Sequence, residues 1–400
     1  MNLKPMRILH SSDWHLGQHF MGKTRQAEHQ ALIRWLLDTV QAQQVDALVI
    51  AGDIFDTGTP PSYARELYNQ LVLEMQACQC QLVVLAGNHD SVAVLEESKA
   101  LLGALGTTVV ASALEPEPLL ALKNRDGSSG AILCAIPFLR PRELMQSEAG
   151  QDGQAKQQSM QQAIGHHYQQ LFEQAKTRGL PVVMTGHLTT VGASASESVR
   201  EIYVGSLEAF PTSAFPAADY IALGHIHRAQ KVGGLEHIRY SGSPIPLSFD
   251  EAGQQKEMLL VELGEGLTSV TPLAVPLFQP LASLRCDLSE VRQQVAPLVA
   301  GLADGQRLWL ELVLESQHYL SDLQSRVAEQ LDGLAVDLLR LRRDRQGSGG
   351  ISSGGGETLD ELNPLEVFDR RLASEALDPE LAAALKARYE ATLAELQEGK

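Results

Sequence analysis

The chain has few cysteines and no long hydrophobic run, and both shortages narrow its class. Its cysteines, Cys78, Cys80, Cys134 and Cys286, are too few in 400 residues for a disulfide framework, and Cys-x-Cys lacks the spacing of a zinc knuckle. Apolar runs such as 47–51 are far too short to cross a bilayer, and the first residues lack the apolar core of a signal peptide. These features predict reduced thiols and a cytoplasmic protein, with neither export nor a membrane span.

Basic residues are also scarce, since 32 Lys and Arg stand against 49 Asp and Glu, for a formal net charge of −17. This balance argues against a nucleic-acid ligand, because such binding usually needs a basic surface. The objection weakens if part of the carboxylate excess binds divalent cations, since local arginines could still contact phosphates. Net charge alone therefore leaves a nucleic-acid substrate open.

The composition, 44% hydrophobic and 20% charged, is typical of a globular chain and excludes collagen-like, coiled-coil and wholly disordered proteins. A length of 400 residues predicts two or three domains. Short apolar runs that end in polar clusters predict buried strands at 7–10, 47–51, 82–86, 132–136, 182–185 and 220–223. Apolar residues at helical spacing lie between them, for example over 32–40 and 67–75. This alternation predicts a layered α/β main domain over 1–278.

The pattern changes after residue 278. Strand, helix, strand, helix and strand follow in short order, with the clearest strand at 309–314 and a helix near 322–331, which predicts a small α+β domain at 279–345. The Gly/Ser tract at 346–357 predicts a flexible linker. Helix start signals at 363–366 and 378–380 then predict two short amphipathic helices within 358–400. These helices either pack on the main body or dock on a partner, and the pattern leaves both open.

Residue types that bind metals follow nearly every strand of the main domain. Because the carboxyl ends of strands converge in open α/β sheets, we expect these side chains to meet in space. Residues i and i+2 of an extended chain point the same way, so each DxH or HxH pair can present two donors to one place. Glycines before four of the positions let the backbone approach an ion closely. The candidate ligands are Asp13, His15, Asp53, Asn88, His187, His225 and His227.

The donor set indicates a catalytic centre with two divalent ions. If Asp53 bridges, three oxygen donors and four imidazoles make four bonds to each ion and leave positions open for water and a phosphate oxygen. A structural zinc site would be closed and would usually contain cysteine. Mixed imidazole and carboxylate ligands favour manganese or iron over magnesium or calcium, and zinc stays open. The chemistry that follows is metal-assisted hydrolysis of a phosphate ester.

The order of the motifs DxH, GD, GNHD, GH and GHxH resembles that of the calcineurin-like metallophosphoesterases, and five motifs in order are far more specific than any one. Within that superfamily, the segments SSDWHLGQ, AGDIFDTGTPP, LAGNHDS, PFLRPRE, GHLTTVGAS, ALGHIHRAQ and YSGSPIPLSFDE are similar to the nuclease subunits of bacterial SbcCD complexes. The likeness covers about residues 6 to 345 and, more weakly, the tail. It implies a four-layer α/β sandwich with a small α+β capping domain and a C-terminal helical tail.

The resemblance also implies roles for the site residues. Asp13, His15, Asp53 and His227 would bind one ion, and Asp53, Asn88, His187 and His225 the other. His89 falls on the family's catalytic histidine, where it would stabilise charge or protonate the leaving oxygen. Asp56 falls on the position that orients this histidine.

By the same resemblance, the chain is a DNA nuclease that acts in repair and recombination. It would degrade duplex ends 3′ to 5′ with ATP and cut hairpins and single strands endonucleolytically, using two divalent ions, with manganese preferred. Its partner would be the ATPase SbcC, docked on 358–400, and the chain would form a homodimer within a heterotetramer. Helices near 62–75 and 92–102 would pair between subunits, so that Leu67 and Leu71 would face a partner rather than the core. Packing of these helices on the sheet is the alternative that the sequence leaves open.

Two other functions stay open. A phosphatase or nucleotide phosphodiesterase shares the chemistry, although 54–60 lacks the arginine that protein phosphatases place near the phosphate. A DNA-end tether would hold SbcC and use the metal site only secondarily. Trp14 is expected to pack rather than to stack on bases. Arginines could contact DNA phosphates or solvent alike at Arg140, Arg142 and Arg228, whereas a solvated face is expected for Arg340, Arg342, Arg343 and Arg345.

Overall fold

The computed structural model describes residues 5–144, 153–199, 209–315, 322–343, 384–386 and 388–389. The predicted linker at 346–357 lies outside these ranges, as does Arg345. Of the predicted helical tail, residues 384–386 and 388–389 are described, and they are helical. The boundaries predicted for the linker and the tail stay predictions.

Strands cover most of the buried apolar runs that the sequence shows. In chain order they are β1 (Met6–Ser11), β2 (His19–Phe20), β3 (Lys23–Thr24), β4 (Ala47–Ala51), β5 (Gln81–Leu85), β6 (Thr107–Val110), β7 (Leu119–Lys123), β8 (Ser129–Cys134), β9 (Val182–His187), β10 (Tyr220–Gly224), β11 (Gln230–Val232), β12 (Leu235–Tyr240), β13 (Glu257–Leu263), β14 (Leu267–Ala274), β15 (Leu281–Cys286), β16 (Leu308–Leu314) and β17 (Val336–Arg343). Each predicted strand is confirmed, and the largest boundary shift is at 132–136, where the strand is Ser129–Cys134.

The helices confirm both helical patterns predicted for the main domain. They are α1 (Gln26–Ala42), α2 (Ser62–Ala77), α3 (Val92–Glu97), α4 (Lys99–Ala104), α5 (Pro141–Leu144), α6 (Gly153–Lys176), α7 (Val291–Val299) and α8 (Leu323–Leu331). The buried side of α1 is formed by residues at helical spacing, such as Leu32, Ile33, Leu36 and Val40.

Two six-stranded sheets form the centre of the main domain. Their strand orders are β14-β13-β1-β4-β5-β6 and β11-β12-β10-β9-β8-β7. In the first sheet β1, β4, β5 and β6 run parallel, and in the second sheet β8, β9, β10 and β12 do so. The loops that follow these parallel strands therefore gather along one edge of each sheet.

Both faces of the central strands are buried in each sheet. Side chains such as Ile8, Val49, Leu133 and Val183 form a core between the two sheets. The opposite face of the first sheet packs on α1 and α2, and that of the second sheet on α6. The resulting order of helix, sheet, sheet and helix confirms the predicted four-layer sandwich. It also explains the continuous apolar runs, because a strand buried on both faces shows no polar alternation.

Leu67 and Leu71 lie in the helix-to-sheet core with Leu48 and Ile50, and Leu71 is fully buried. The structure therefore corrects the suggestion that these two leucines face a partner subunit. Helix α2 uses them to cover the first sheet, which is the ordinary way in which an amphipathic helix buries its apolar stripe.

The C-terminal region contains the predicted sequence of strand, helix, strand, helix and strand, β15-α7-β16-α8-β17, with the sheet order β15-β16-β17. By their contacts the residues group into two compact units. One comprises the described residues within 1–283, 298–311 and 335–340, and the other those within 284–297, 312–334 and 341–400. The single domain boundary predicted at 278/279 stays a prediction.

Candidate metal centre

All seven predicted ligands lie at or just beyond the carboxyl ends of central parallel strands. Asp13 and His15 follow β1, Asp53 follows β4, and Asn88 follows β5. His187 is the last residue of β9, and His225 and His227 follow β10. The six of them that are Asp or His are buried. Two sheets thus contribute ligands to one site.

Asp13, His15 and His227 form one cluster, in which one ligand atom of each lies within 4.8 Å of the others. The Asp13 carboxylate is held in place from two sides. It accepts the backbone N–H of His225 at 2.9 Å and the hydroxyl of Ser12 at 2.6 Å. The first predicted ligand group is therefore brought together, with its carboxylate already positioned.

Asp53, His187 and His225 form a second cluster by the same distance. The Asn88 Oδ1 lies 2.9 Å from His187 Nε2 and 3.2 Å from His225 Nδ1, so the amide oxygen joins this cluster. The His187 Nε2 lies 3.2 Å from Asp53 Oδ2. The second predicted group is likewise brought together.

Asp53 lies between the two clusters. Its Oδ2 faces His187 on one side and the His15 Nε2 on the other, at 3.7 Å. Its Oδ1 accepts the backbone N–H of His89 at 2.8 Å. One carboxylate oxygen is thus directed toward imidazoles from both groups, as a bridging ligand would be.

His89 lies beside this shared carboxylate, and a ligand atom of His89 is within 4.8 Å of those of His15 and Asp53. Its ring meets that of His15 edge to face, with centroids 4.6 Å apart. Its Nδ1 donates to the backbone carbonyl of Asp56 at 2.7 Å, whereas the Asp56 Oδ1 lies 3.1 Å from His15 Nδ1. Asp56 therefore positions His89 through its main chain, and its carboxylate contacts the candidate ligand His15.

The imidazoles carry outer partners of the kind that metal-bound histidines need. The His187 Nδ1 donates to the carbonyl of Ala51 at 3.0 Å, and the His15 Nδ1 faces the Asp56 carboxylate. Such bonds fix the ring and direct its other nitrogen toward the place where a metal would bind. The Nε2 atoms of His15 and His225 are buried without a hydrogen-bond partner among the described residues. Buried, unpaired acceptors beside two carboxylates fit divalent ions, which would satisfy them.

The charges within the site are strongly coupled. Burial raises the pKa of Asp53, but His187 and His15 outweigh it and hold that pKa below its usual range. Burial lowers the pKa of His187, but the adjacent Asp53 carboxylate outweighs it and raises the pKa to about 9. A metal that binds the His187 Nε2 must displace a proton from the ring, so metal binding at this residue is coupled to proton release.

The backbone of the site is strained. Asp13, His15, Asp53 and His225 all have positive φ, at 55°, 48°, 51° and 94°, in a region that non-glycine residues rarely adopt. Gly87 is needed for a different reason. A Cβ at this position would lie 2.1 Å from Asp53 Oδ1, so only glycine lets the two loops approach so closely.

Comparison with known proteins places this geometry in a family. The family model described as calcineurin-like phosphoesterase matches residues 6–229, more than half of the chain and the range that holds every candidate ligand. The chain belongs to the calcineurin-like phosphoesterase family. A second family model, described as the type 5 capsule protein repressor C-terminal domain, matches residues 277–376.

Several relatives of this phosphoesterase share nearly its whole length. The D subunit of the SbcCD nuclease from Escherichia coli K12 is 52% identical over 394 residues, which cover 97% of this chain and 98% of that protein. The proteins of the same name from Rhodobacter capsulatus and Bacillus subtilis are 33% and 30% identical, over 91% and 86% of this chain and 93% and 84% of theirs. The prediction of a metal-dependent nuclease of this family is confirmed. A solved structure, TT1561 of Thermus thermophilus, has a TM-score of only 0.36 at 10% identity and covers 66% of this chain and 100% of that one.

The phosphoesterase site includes residues to which the sequence motifs assign no role. Glu251 is fully buried and binds the Lys256 ammonium at 2.6 Å. Asp90 accepts the backbone N–H groups of Ile54, Phe55 and Gly87, which ties the Asp53 loop to the Asn88 loop. Burial and the Asp53 charge raise the pKa of Asp90 to about 6. Asp90 lies in the segment LAGNHDS and Glu251 in YSGSPIPLSFDE, but position in a segment does not reveal which partner each acid contacts.

The arginines near the site have more specific partners than the sequence indicated. Arg140 is mostly buried, donates to the carbonyls of Asp90 and Ala111, and stacks over Phe138, so it braces the Asn88 loop. Arg142 and Arg228 are exposed. Arg340 pairs with Glu311 and Glu197, which corrects the expectation of a simply solvated side chain.

Trp14 is fully buried and donates to Ser11, which confirms its packing role.

The segment GQHFMGKT, residues 17–24, has the spacing of a phosphate-binding loop. Here it forms the β2–β3 hairpin, in which His19 pairs with Thr24 and Phe20 with Lys23. The Lys23 ammonium binds Asp337 at 2.7 Å. The loop therefore does not form a phosphate cradle that leads directly into a helix, and the match is a coincidence of spacing.

None of the helices in the described ranges has the length and apolarity that a membrane crossing requires.

Proposed function

We propose that the chain hydrolyses DNA phosphodiester bonds with two divalent ions held where the two sheets meet. The observation that supports this most directly is the position of Asp53, whose Oδ2 faces imidazoles of both ligand clusters. A bridging carboxylate between two clusters, with positions left open, is the arrangement that two-metal hydrolases use to hold a phosphate.

Asp13, His15, Asp53 and His227 would hold one ion, and Asp53, Asn88, His187 and His225 the other. The mixture of imidazole, carboxylate and amide donors suits manganese better than magnesium or calcium, so manganese is the proposed ion. When bound, the ions would polarise the phosphate and activate a water molecule for attack on phosphorus.

His89 is the proposed catalytic residue. Its Nδ1 donates to the Asp56 carbonyl, which fixes the ring beside the Asp53 carboxylate that the two clusters share. A protonated His89 there would stabilise charge on the phosphate or protonate the leaving oxygen. Asp56 supports the site through both its carbonyl and its carboxylate.

The relatives named as the D subunit of SbcCD nucleases support a partner chain, since they match this protein over almost its whole length. We propose that an SbcC-type ATPase supplies ATP hydrolysis, and that this chain acts with it in the cytoplasm as a homodimer within a heterotetramer. The complex would act as a 3′-to-5′ duplex exonuclease and as an endonuclease on hairpins and single strands. Residues 358–400 are the proposed docking segment for the ATPase.

One assay tests these statements together. End-labelled duplex and hairpin DNA are incubated with the chain and manganese, with and without the SbcC-type partner and ATP. Hairpin opening without the partner and ATP-dependent shortening of 3′ ends with it are expected. Hydrolysis of a phosphomonoester with no cutting of DNA would instead favour the phosphatase. An Asp53→Asn variant that cannot cut, yet still supports the biological role of the complex, would favour the tether.

A further inference from the structure

The His227 ring contacts Ser198 and, through it, the buried acid Glu251, and the sequence motifs assign no role to either residue. The His227 Nδ1 lies 2.6 Å from the Ser198 Oγ, and that Oγ lies 2.6 Å from the Glu251 Oε1. Glu251 itself is 3.5 Å from the imidazole nitrogen. The serine therefore bridges a candidate metal ligand and a buried acid.

The Glu251 carboxylate is held as an ion. Its Oε2 binds the Lys256 ammonium at 2.6 Å and accepts the backbone N–H of Leu247 at 3.0 Å. Its Oε1 accepts the hydroxyls of Ser196 at 2.7 Å and Ser198 at 2.6 Å. A carboxylate with this many donors has only acceptor capacity to offer.

This arrangement sets the direction of each hydrogen bond. If the Ser198 proton pointed at His227, lone pairs of Ser198 and Glu251 would face each other at 2.6 Å with no proton between them. The Ser198 hydroxyl must therefore donate to Glu251, and its oxygen must accept from the imidazole. A neutral His227 then carries its proton on Nδ1 and has a free lone pair on Nε2.

We propose that Glu251 and Ser198 are positioning residues that fix the His227 tautomer and so set the affinity of the ion held with Asp13 and His15. This inference rests on the proposed two-ion function and deepens it. The other imidazoles have their own outer partners, such as the Ala51 carbonyl at His187, so the effect belongs to one ion alone.

Substitutions of Ser198 test the hydrogen-bonded relay of Glu251, Ser198 and His227. They should not disturb the core, because Ser198 is only partly buried. Ser198→Ala removes the bridging oxygen, and Ser198→Thr keeps it. Removal of an outer partner typically costs about 10- to 100-fold in metal affinity. Manganese titrations can be followed by the electron paramagnetic resonance signal of the free ion. In Ser198→Ala, the manganese affinity of one of the two sites should fall by about that factor. In Ser198→Thr, the affinity of both sites should stay near that of the wild type.

Glu251 provides the second test. In Glu251→Gln the amide can donate to Ser198, which allows the serine to donate to Nδ1 and places the imidazole proton on Nε2. Combining it with Lys256→Met avoids an unpaired buried ammonium. The double variant should weaken the same ion as Ser198→Ala, whereas Glu311→Gln, which changes another buried glutamate with a cationic partner, should weaken neither.

The results separate this inference from the proposed function. A wild-type chain that binds fewer than two ions contradicts the proposed function. A wild-type chain that binds two, with Ser198→Ala equally tight at both sites, overturns the relay. Equal losses in Ser198→Ala and Ser198→Thr, or equal weakening of both ions, would also overturn it.

Discussion

His89→Ala should leave a folded protein that binds two ions and DNA but scarcely cuts. The substitution removes the hydrogen bond from Nδ1 to the Asp56 carbonyl, while the backbone N–H that binds Asp53 remains. A hydrogen bond of this kind contributes about 0.5 to 1.5 kcal/mol to the free energy of unfolding. The fold should therefore survive.

The expected loss of activity is far larger. Removal of a positioned acid or of a group that stabilises developing charge costs about 100- to 10,000-fold in rate. At about 1.4 kcal/mol for each factor of ten, this equals roughly 3 to 5.5 kcal/mol of transition-state stabilisation. The free-energy cost to catalysis should thus be several times the cost to the free energy of unfolding.

Single-turnover cleavage of labelled DNA, run beside manganese titrations, separates the roles. His227→Ala should lose an ion, because His227 clusters with Asp13 and His15. His166 is an exposed histidine outside the motifs, so His166→Ala should change neither cutting nor ion binding. If His89→Ala loses an ion as readily as His227→Ala does, His89 is a ligand and its assignment as catalyst is wrong.

Four further outcomes follow from the structure. Chelation should abolish cutting but leave the circular dichroism spectrum unchanged, because the ligands lie on loops of a large core, and manganese should restore cutting; full activity in chelator would contradict the two-ion site. Gly87→Ala should lose manganese binding, since its Cβ would meet Asp53, whereas Gly253→Ala, with open space around it, should not. Burial lowers the pKa of His10 to about 3, so the unfolded chain binds one more proton between pH 3 and 6.5; unfolding in urea should show about 2 kcal/mol less stability at pH 5 than at pH 7 from this group, and His10→Leu should remove that part of the slope. Removal of 347–400 should spare manganese-dependent cutting of single-stranded DNA but weaken capture of SbcC, and undiminished capture would place the docking surface elsewhere.

Much of the fold is predictable from the sequence because local patterns carry it. Apolar runs such as 47–51 and 220–223 become strands, and residues at helical spacing become α1 and α2, since each must bury its apolar side. The candidate ligands follow the same logic. Parallel strands end at one edge, so Asp13, Asp53 and Asn88 must lie close together in the first sheet.

Other features depend on the packing of distant segments. A strand buried on both faces has no polar alternation, so nothing local shows that β9 and β10 would pack across from β1 and β4. Only that packing brings His187 to Asp53, although both ends of the contact were recognisable as ligands. The position of Leu71 depends on packing in the same way. It belongs to the apolar side of α2, and the sequence alone does not show whether that side covers a sheet of the same chain or contacts a partner.

The sequence by itself therefore determined the residue types of the site, their order along the chain and the alternation of strands and helices, because those depend on neighbours a few residues apart. The tertiary structure alone decided which partner each side chain meets. Glu251 reaches His227 through Ser198, Asp56 supports His15 with its carboxylate, and Arg140 braces a loop, since each contact joins segments that only the packed sheets bring together.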